Sequence, residues 1–594
     1  MSKYLTRAFL TLLLGFLPAH AKVLDINHTL KRAIALEASG DLDNALGLYR
    51  TLYAHYPGRA DILFRLQNLL FRMGRHDQVV SLLRARLKRV PRDITARLRL
   101  GDALYALGRR DEAFETWDRI LEGATASGPY SRVASRYKAN NLYARSAATY
   151  RKAREALGLL HLFARELAEL AERQARYPEA VSEYLLYLQE KPEYLHLITS
   201  RFRKFAREGD DHEKIVDLLA EEVRKHPDDN VRLTLLTEYA LPAGYAGYAL
   251  RVLTGHLRET HRHRTLLFQI ASHALKEGDN TTAAVAYQTL IGRFDRSKPQ
   301  PLALLGLARA EGGRGRPDQA RRLYRDLIDR YPNRLEADEA RYRLGRLLHE
   351  AYQDSHRALQ TFQALVETGR RTPWRYRALF DIAEAMLLSD RFAEAKAACV
   401  LIVQERRGQQ GADEARLRIA ECHFLAGDFD AAGDLLDRLL SGSTVRYVLN
   451  DALALSVLIQ DGRQGDPNAL KAYAAALRLK RQQKAERALG AFQDWLKSHP
   501  KSALLDRALA QQVELLEALE RYPEAIGACR RLISDVPWSP LCPWAQMALA
   551  RIYGERLGQV YDALNAYETL LIEYPQSLEA DTARDRLQAL RKKI

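Results

Sequence analysis

Apolar residues return at fixed offsets along almost the whole chain. Gly40, Gly74 and Gly108 are each 34 residues apart; five residues after each stands Ala45, Val79 or Ala113, and four further on Tyr49, Leu83 or Trp117. Residues four apart lie one turn apart on the same face of a helix. The small one lets a neighbouring helix approach closely, and the large one fills the gap beside it. A second spacing runs further. A small or branched apolar residue is followed twelve later by proline at Ala45/Pro57, Val79/Pro91, Ala180/Pro192, Ile215/Pro227, Ala320/Pro332, Ala488/Pro500, Ala525/Pro537 and Ala563/Pro575. Proline cannot continue a helix and pushes the residue before it out of the α region. Ala283/Tyr287, Ala358/Phe362, Ala395/Cys399 and Ala432/Leu436 keep the first spacing without the proline.

This pattern resembles the tetratricopeptide repeat (TPR) family. Its motif sets Leu-Gly and an aromatic on helix A, Gly at the turn, a small residue and an aromatic on helix B, and Pro after helix B. Leu100-Gly101, Gly108, Ala113 and Trp117 match it best. The resemblance implies an all-α fold, a right-handed α-solenoid of about 14–16 antiparallel helix pairs covering nearly everything after residue 21. Each pair would bury its apolar faces against its neighbours, so that stability is close to a nearest-neighbour sum. Glycine at the turn would supply the positive φ that ends helix A.

Two stretches 243 residues apart share most of their letters: RYPNRLEADEAR (330–341) and EYPQSLEADTAR (573–584). Under the resemblance, Tyr331-Pro332 and Tyr574-Pro575 close a helix B, and Asn333 and Ser577 are expected as N-caps of the next helix A. Glu336, Asp338, Glu579 and Asp581 then fall near its first turn and complement the helix dipole. Ala337, Ala340, Ala580 and Ala583 are expected to face the preceding pair. Within the family, this phrase is similar to periplasmic TPR proteins of Gram-negative envelopes, among them outer-membrane assembly lipoproteins and the TPR partner of the Tol–Pal system. Such proteins dock other proteins.

The period slips at 122–150 and at 441–470, and Leu241-Pro242-Ala243-Gly244 reads as a break between helices. Soft boundaries are therefore expected near 125 and 460. They give N-terminal repeats over 22–125, central and partly degenerate repeats over 126–460, and C-terminal repeats over 461–594. Neither boundary has a long Pro/Ser linker.

The composition, rich in Ala, Leu, Arg and Glu, favours helix throughout. The first 21 residues stand apart. Lys3 and Arg7 precede the apolar run AFLTLLLGFL (8–17), and Ala19-His20-Ala21 supplies small residues before Lys22. This is the pattern of a secretory signal peptide cleaved after Ala21, and it predicts a periplasmic location; the resemblance also allows association with the outer membrane. The formal charge is +16, of which Lys3 and Arg7 account for two, leaving +14 on residues 22–594. In an exported chain the excess points to anionic lipid, anionic envelope polymers or acidic proteins, and not to nucleic acid. Cys399, Cys422, Cys529 and Cys542 fit no zinc spacing. They are expected as small buried residues, with Cys399–Cys422 or Cys529–Cys542 bridges as the alternative in an oxidising compartment.

No chemistry emerges from the motifs. GGRGRPD (312–318) follows a helical pattern and lacks the Lys-Ser/Thr of a phosphate loop, so it reads as a lengthened turn. In HLRETHRHR (256–264), His261 and His263 are two apart and face different ways on a helix. This stretch is expected at the surface. No H-E-x-x-H, G-x-S-x-G or Cys/His nucleophile signature is present. No enzyme activity, cofactor or metal is expected. The family's concave helix A positions fall on Phe64, Asn68, Phe71, Tyr105, Tyr342, Arg346, His349, Phe380, Glu384 and Phe424. Aromatics interleaved with charges suit protein or peptide docking. The expected role is a protein-binding scaffold in envelope assembly or organisation. The alternative is a polysaccharide-secretion or peptidoglycan-associated module whose basic surface meets anionic glycan or a membrane surface.

Overall fold

Each repeat folds as its spacing requires. The eight apolar residues that stand twelve before a proline are all wholly buried. The residue just before each of those prolines caps its helix with φ between −127° and −134° and ψ between 50° and 79°. That extended geometry is the one the proline ring forces on its predecessor. The turn between the two helices of a pair needs a left-handed residue, and Gly40, Gly74 and Gly108 supply it at φ +87°, +68° and +79°.

The structure, a computed structural model, describes residues 26–295, 299–406, 410–443, 445–464 and 466–592. The leader expected at 1–21 lies outside the described residues. Among those described there is no strand, and no helix is long and apolar enough to cross a membrane. Contacts divide the chain into two units, Met1–Arg258 and Glu259–Ile594.

Among the described residues, the first unit holds seven antiparallel pairs, from Ile26–Ala38 with Leu42–His55 to Asn230–Ala240 with Ala246–Gly255. Helices pack mainly on their sequence neighbours, which makes the array a solenoid. The stretch 122–150, irregular in sequence, falls largely in an ordinary pair, Ser127–Ala139 with Tyr143–Leu157. The core of the best-matching repeat is Trp117, wholly buried, with its indole Nε1 donating to Leu98 O at 3.1 Å. A Cβ on Gly101 would stand 2.2–2.8 Å from the Trp117 ring, so only glycine admits the indole there.

Among the described residues, the second unit holds eight pairs, from His261–Lys276 with Asn280–Phe294 to Cys542–Arg551 with Val560–Glu573, and two helices outside the alternation. One is Ala580–Arg591, the last described helix. The other, Arg446–Arg463, lies between the pair Gln410–Ala426/Phe429–Gly442 and the pair Pro467–Arg481/Ala485–Ser498. Helix Gln410–Ala426 touches both this extra helix and Pro467–Arg481. The slipped period at 441–470 is thus an added helix, and residue 460 lies inside it. Beyond it, the chain ties back on itself. Arg481 forks onto Glu384, with Nε–Oε1 at 3.2 Å and Nη2–Oε2 at 2.9 Å, and its Nη1 donates to Glu421 at 3.2 Å. Gln482 Nε2 donates to Asp390 at 2.8 Å.

The two LEAD phrases part company in three dimensions. Asp338 is fully buried, whereas the Asp581 side chain is 92% exposed and pairs with Arg584 of its own helix. Asp338 accepts from Arg341 Nη1 at 3.3 Å and from Arg370 Nε at 2.9 Å. Arg370 comes from beyond the next helix B, so Asp338 joins one repeat to the next. Asp338 does fall in the first turn of its helix, as expected, and it carries this buried link in addition. The expected N-caps are corrected. The capping positions are Arg334 and Glu579, neither with a side-chain cap bond. Asn333 and Ser577 fall in the preceding turns, closed by Arg334 N to Tyr331 O and Ser577 N to Tyr574 O. Ala337, Ala340, Ala580 and Ala583 are buried as expected.

All four cysteines are free and buried. Burial pushes the Cys399 and Cys529 thiols up to about 12 and Cys422 up to about 11. The reactive thiolate is therefore scarce at neutral pH. We expect a thiol reagent such as DTNB to leave the native protein unmodified and to titrate all four thiols once it is unfolded in guanidinium. Fast reaction in the native state would contradict this packing.

Candidate functional site

Helices Pro301–Gly313, Leu335–Glu350 and Pro373–Leu388 are the A helices of consecutive repeats and pack side by side. Residues one turn apart on Leu335–Glu350 share a face, which sets Tyr342, Arg346 and His349 in a row. Two cavities open along this face and share Arg346 and Glu350.

The first, about 620 Å³, is lined by Arg346, His349, Ser355, Asp381 and Glu384 among others. His349 Nδ1 and Ser355 Oγ are 3.1 Å apart. Burial pushes the Asp381 carboxyl above the usual range, and the charge of Arg346 opposes this. Asp381 Oδ2 is buried without a hydrogen-bond partner.

The second, about 560 Å³, gathers four arginines, Arg309, Arg343, Arg346 and Arg377, around Trp374 and Tyr342. The guanidinium of Arg343 lies 5.3 Å from the Trp374 ring centroid and that of Arg377 lies 4.8 Å from it. Tyr342 packs 5.5 Å from Trp374 and 5.8 Å from Phe362.

A third cavity, about 760 Å³, opens where the extra helix Arg446–Arg463 meets its neighbours. Phe424, Leu458, Tyr473, Leu477 and Trp544 give it an apolar wall. Lys480, Arg481, Arg507 and Glu514 stand at its polar edge.

The structure brings Arg346, His349 and Glu384 to one cavity, with Tyr342 in the adjoining one. The Glu384 carboxylate is held there by Arg481. Phe424 is buried 5.6 Å from Phe429 and lines the third cavity. Phe380 is partly buried against the core. In the first unit, Phe64 is exposed. Asn68 Oδ1 accepts from Arg99 Nη2 at 3.1 Å, and the same guanidinium lies 5.8 Å from the Phe71 ring. Tyr105 packs among Phe114 and Trp117, with centroids at 6.2 Å and 5.8 Å. Sequence reasoning missed Arg309, Arg343, Trp374 and Arg377. One signal was available: the three arginines recur at 34-residue intervals, like the glycines near the N-terminus.

His261 is exposed and His263 is buried at the start of helix His261–Lys276, so the two diverge, and the expectation of a surface stretch fails for His263. Thr260 caps that helix by accepting from His263 N at 3.2 Å. GGRGRPD forms the helix end and turn expected of it, with Gly315 at φ +71°. Among the described residues, no group of three His, Cys, Asp or Glu side chains is placed to hold a metal ion.

Tetratricopeptide-repeat family models match residues 36–94, 68–129, 305–373, 414–441 and 544–577. Both units therefore carry tetratricopeptide repeats. No curated protein matches the chain. Among solved structures, Naa15/Naa10 bound to HypK-THB is similar at 14% identity, over 94% of this chain and 85% of that one, with a TM-score of 0.28. The APC/C hetero-tetramer Cut9–Hcn1 is similar at 13% identity, over 99% and 98%, with a TM-score of 0.23. Superpositions that loose carry no argument about this chain.

Proposed function

We propose that this chain is an exported scaffold that docks other proteins along its helix A faces and serves the assembly or organisation of a bacterial cell envelope. The observation that carries the docking half is the set of cavities, about 560 to 760 Å³, opened by A helices of the second unit. Concave sites of this size, with apolar and aromatic walls and a few convergent polar groups, suit the anchor side chains of a partner. Stacked repeats suit the role because, within a unit, each adds its own helix A beside the last. The envelope half is supported by the leader pattern of residues 1–21 and by the Tyr-Pro phrase shared with periplasmic TPR proteins.

Affinity capture from envelope extract tests both halves. We expect defined proteins that stay bound in high salt. A second reading, an anionic-glycan module, is favoured by the positive excess of residues 22–594, the formal +16 less Lys3 and Arg7. Recovery of glycan or sacculi alone, lost on adding salt, would overturn docking in its favour. Fractionation that finds the chain in the cytoplasm would remove the envelope half and leave the docking half standing.

A further inference from the structure

We infer that the arginine cavity receives the carboxylate side chains of an acidic, extended segment of a partner protein. This rests on the docking reading above and specifies the partner's chemistry. Two guanidiniums, Arg343 and Arg377, share the single indole of Trp374. Each lies within 5.3 Å of the ring centroid, so the two like charges stand no more than about 10 Å apart, and an anion beside the indole is attracted by both. The fold supplies too few. Glu339 takes Arg343, with Nε–Oε1 at 2.6 Å, and lies 3.9 Å from Arg309 Nη1. Glu350 takes Arg346, with Nε–Oε1 at 2.8 Å. Asp381 faces Arg346 from the neighbouring cavity. Arg377 is exposed, and among the described residues no carboxylate pairs with it.

The missing anion has a shape. Arginine presents a planar fork that matches a carboxylate with two parallel bonds. The cations come from three adjacent helices, and packed helices stand about 8–10 Å apart. An extended peptide rises about 3.3 Å per residue, so carboxylates about three residues apart match cations on successive helices. A sugar ring would need an open aromatic face to stack on, and guanidiniums already lie over the indole. These observations favour an acidic peptide over an anionic glycan.

Fluorescence anisotropy of the full chain with a fluorescein-labelled peptide of repeated Glu-Gly-Ser units tests this. We expect binding that weakens with salt. Arg377→Ala should weaken it about tenfold, the size of one lost charge-assisted contact, and Arg377→Glu should abolish it. Arg89→Glu makes the same charge change at an exposed arginine of the first unit and should leave affinity within twofold. Circular dichroism melts confirm that each variant is folded. Any of three results overturns the inference: equal loss with Arg89→Glu, no loss with Arg377→Ala, or equal binding of the Gln-Gly-Ser peptide. So does binding of oligogalacturonate with the same dependence on Arg377, which would assign the cavity to glycan. If Arg377→Glu changes nothing here while affinity capture still recovers salt-resistant proteins, this inference falls and the scaffold reading stands. If capture recovers only glycan, the scaffold reading falls, whatever the peptide does.

Discussion

Asp338→Ala is expected to destabilise the second unit by about 3 kcal/mol, while Asp581→Ala, in the same LEAD phrase, leaves it unchanged. Asp338 is sealed from water, and its carboxylate is shared between Arg341 and Arg370, whose side chains are 13% and 27% exposed. Both guanidiniums also donate to Pro332 O, at 3.2 Å and 3.1 Å. Removing the carboxylate leaves two half-buried cations facing one carbonyl. An uncompensated buried charge costs about 3–5 kcal/mol, and the partial exposure of Arg370 puts this site at the lower end. Hydrogen exchange across Leu335–Glu350 and the helices on either side reads the loss locally, which matters because long repeat arrays do not unfold as one step. Pairing Asp338→Ala with Arg370→Ala should cost less than the sum of the two single changes, since one interaction is removed twice. Equal effects at Asp338 and Asp581 would refute the assignment.

The second large effect is expected at Trp117. Trp117→Ala empties the largest fully buried side chain of the first unit and breaks its bond to Leu98 O, at a cost of about 3–5 kcal/mol. Gly101→Val reaches the same place from the other side. Its added carbons would overlap the indole and cost about 1–3 kcal/mol by overpacking. The informative variant is the double one. Once Trp117 is alanine, the valine finds space, so adding Gly101→Val should cost little or even recover stability. Denaturant unfolding followed by far-UV circular dichroism separates the cases. Strict additivity would mean that Gly101 is fixed by something other than its contact with the indole.

How much of this was legible follows from which residues carry a local signal. A residue twelve before a proline announces the closing helix, and every one of those residues is buried. The turn between the paired helices is different. Asn141, Ala175, Gln353, Asp390, Gln483 and Glu520 adopt the same left-handed conformation that Gly40 and Gly74 adopt, at φ 54° to 60°. Each costs about 1–2 kcal/mol against glycine's ease, and the packed helices on either side hold it in place. A reading that looks for glycine passes over these turns, which is why the central repeats look degenerate while folding normally. The burial of Asp338 went unread for a related reason. Its partner Arg370 is 32 residues away, and no local spacing distinguishes it from Asp581. In the site, Tyr342, Arg346 and His349 were visible because one helix sets their spacing. Trp374 and Arg377 were not, although Phe380 and Glu384 of the same helix were: only the 34-residue recurrence of Arg309, Arg343 and Arg377 pointed to the arginine, and no spacing announced Trp374.

The tie between Arg481 and Glu384 bears on how such an array changes length. A solenoid gains or loses whole units readily, because each touches only its neighbours. Between Glu384 and Arg481 such a change has a cost: the fork spans 97 residues and one extra helix, and it closes only at the present number of units. Insertion or loss of a single repeat in this interval would carry Arg481 past its acceptor. Among the described residues, no ion pair of that span ties the repeats outside it. A change of copy number in this stretch would therefore forfeit the fork, a contact between partly exposed side chains.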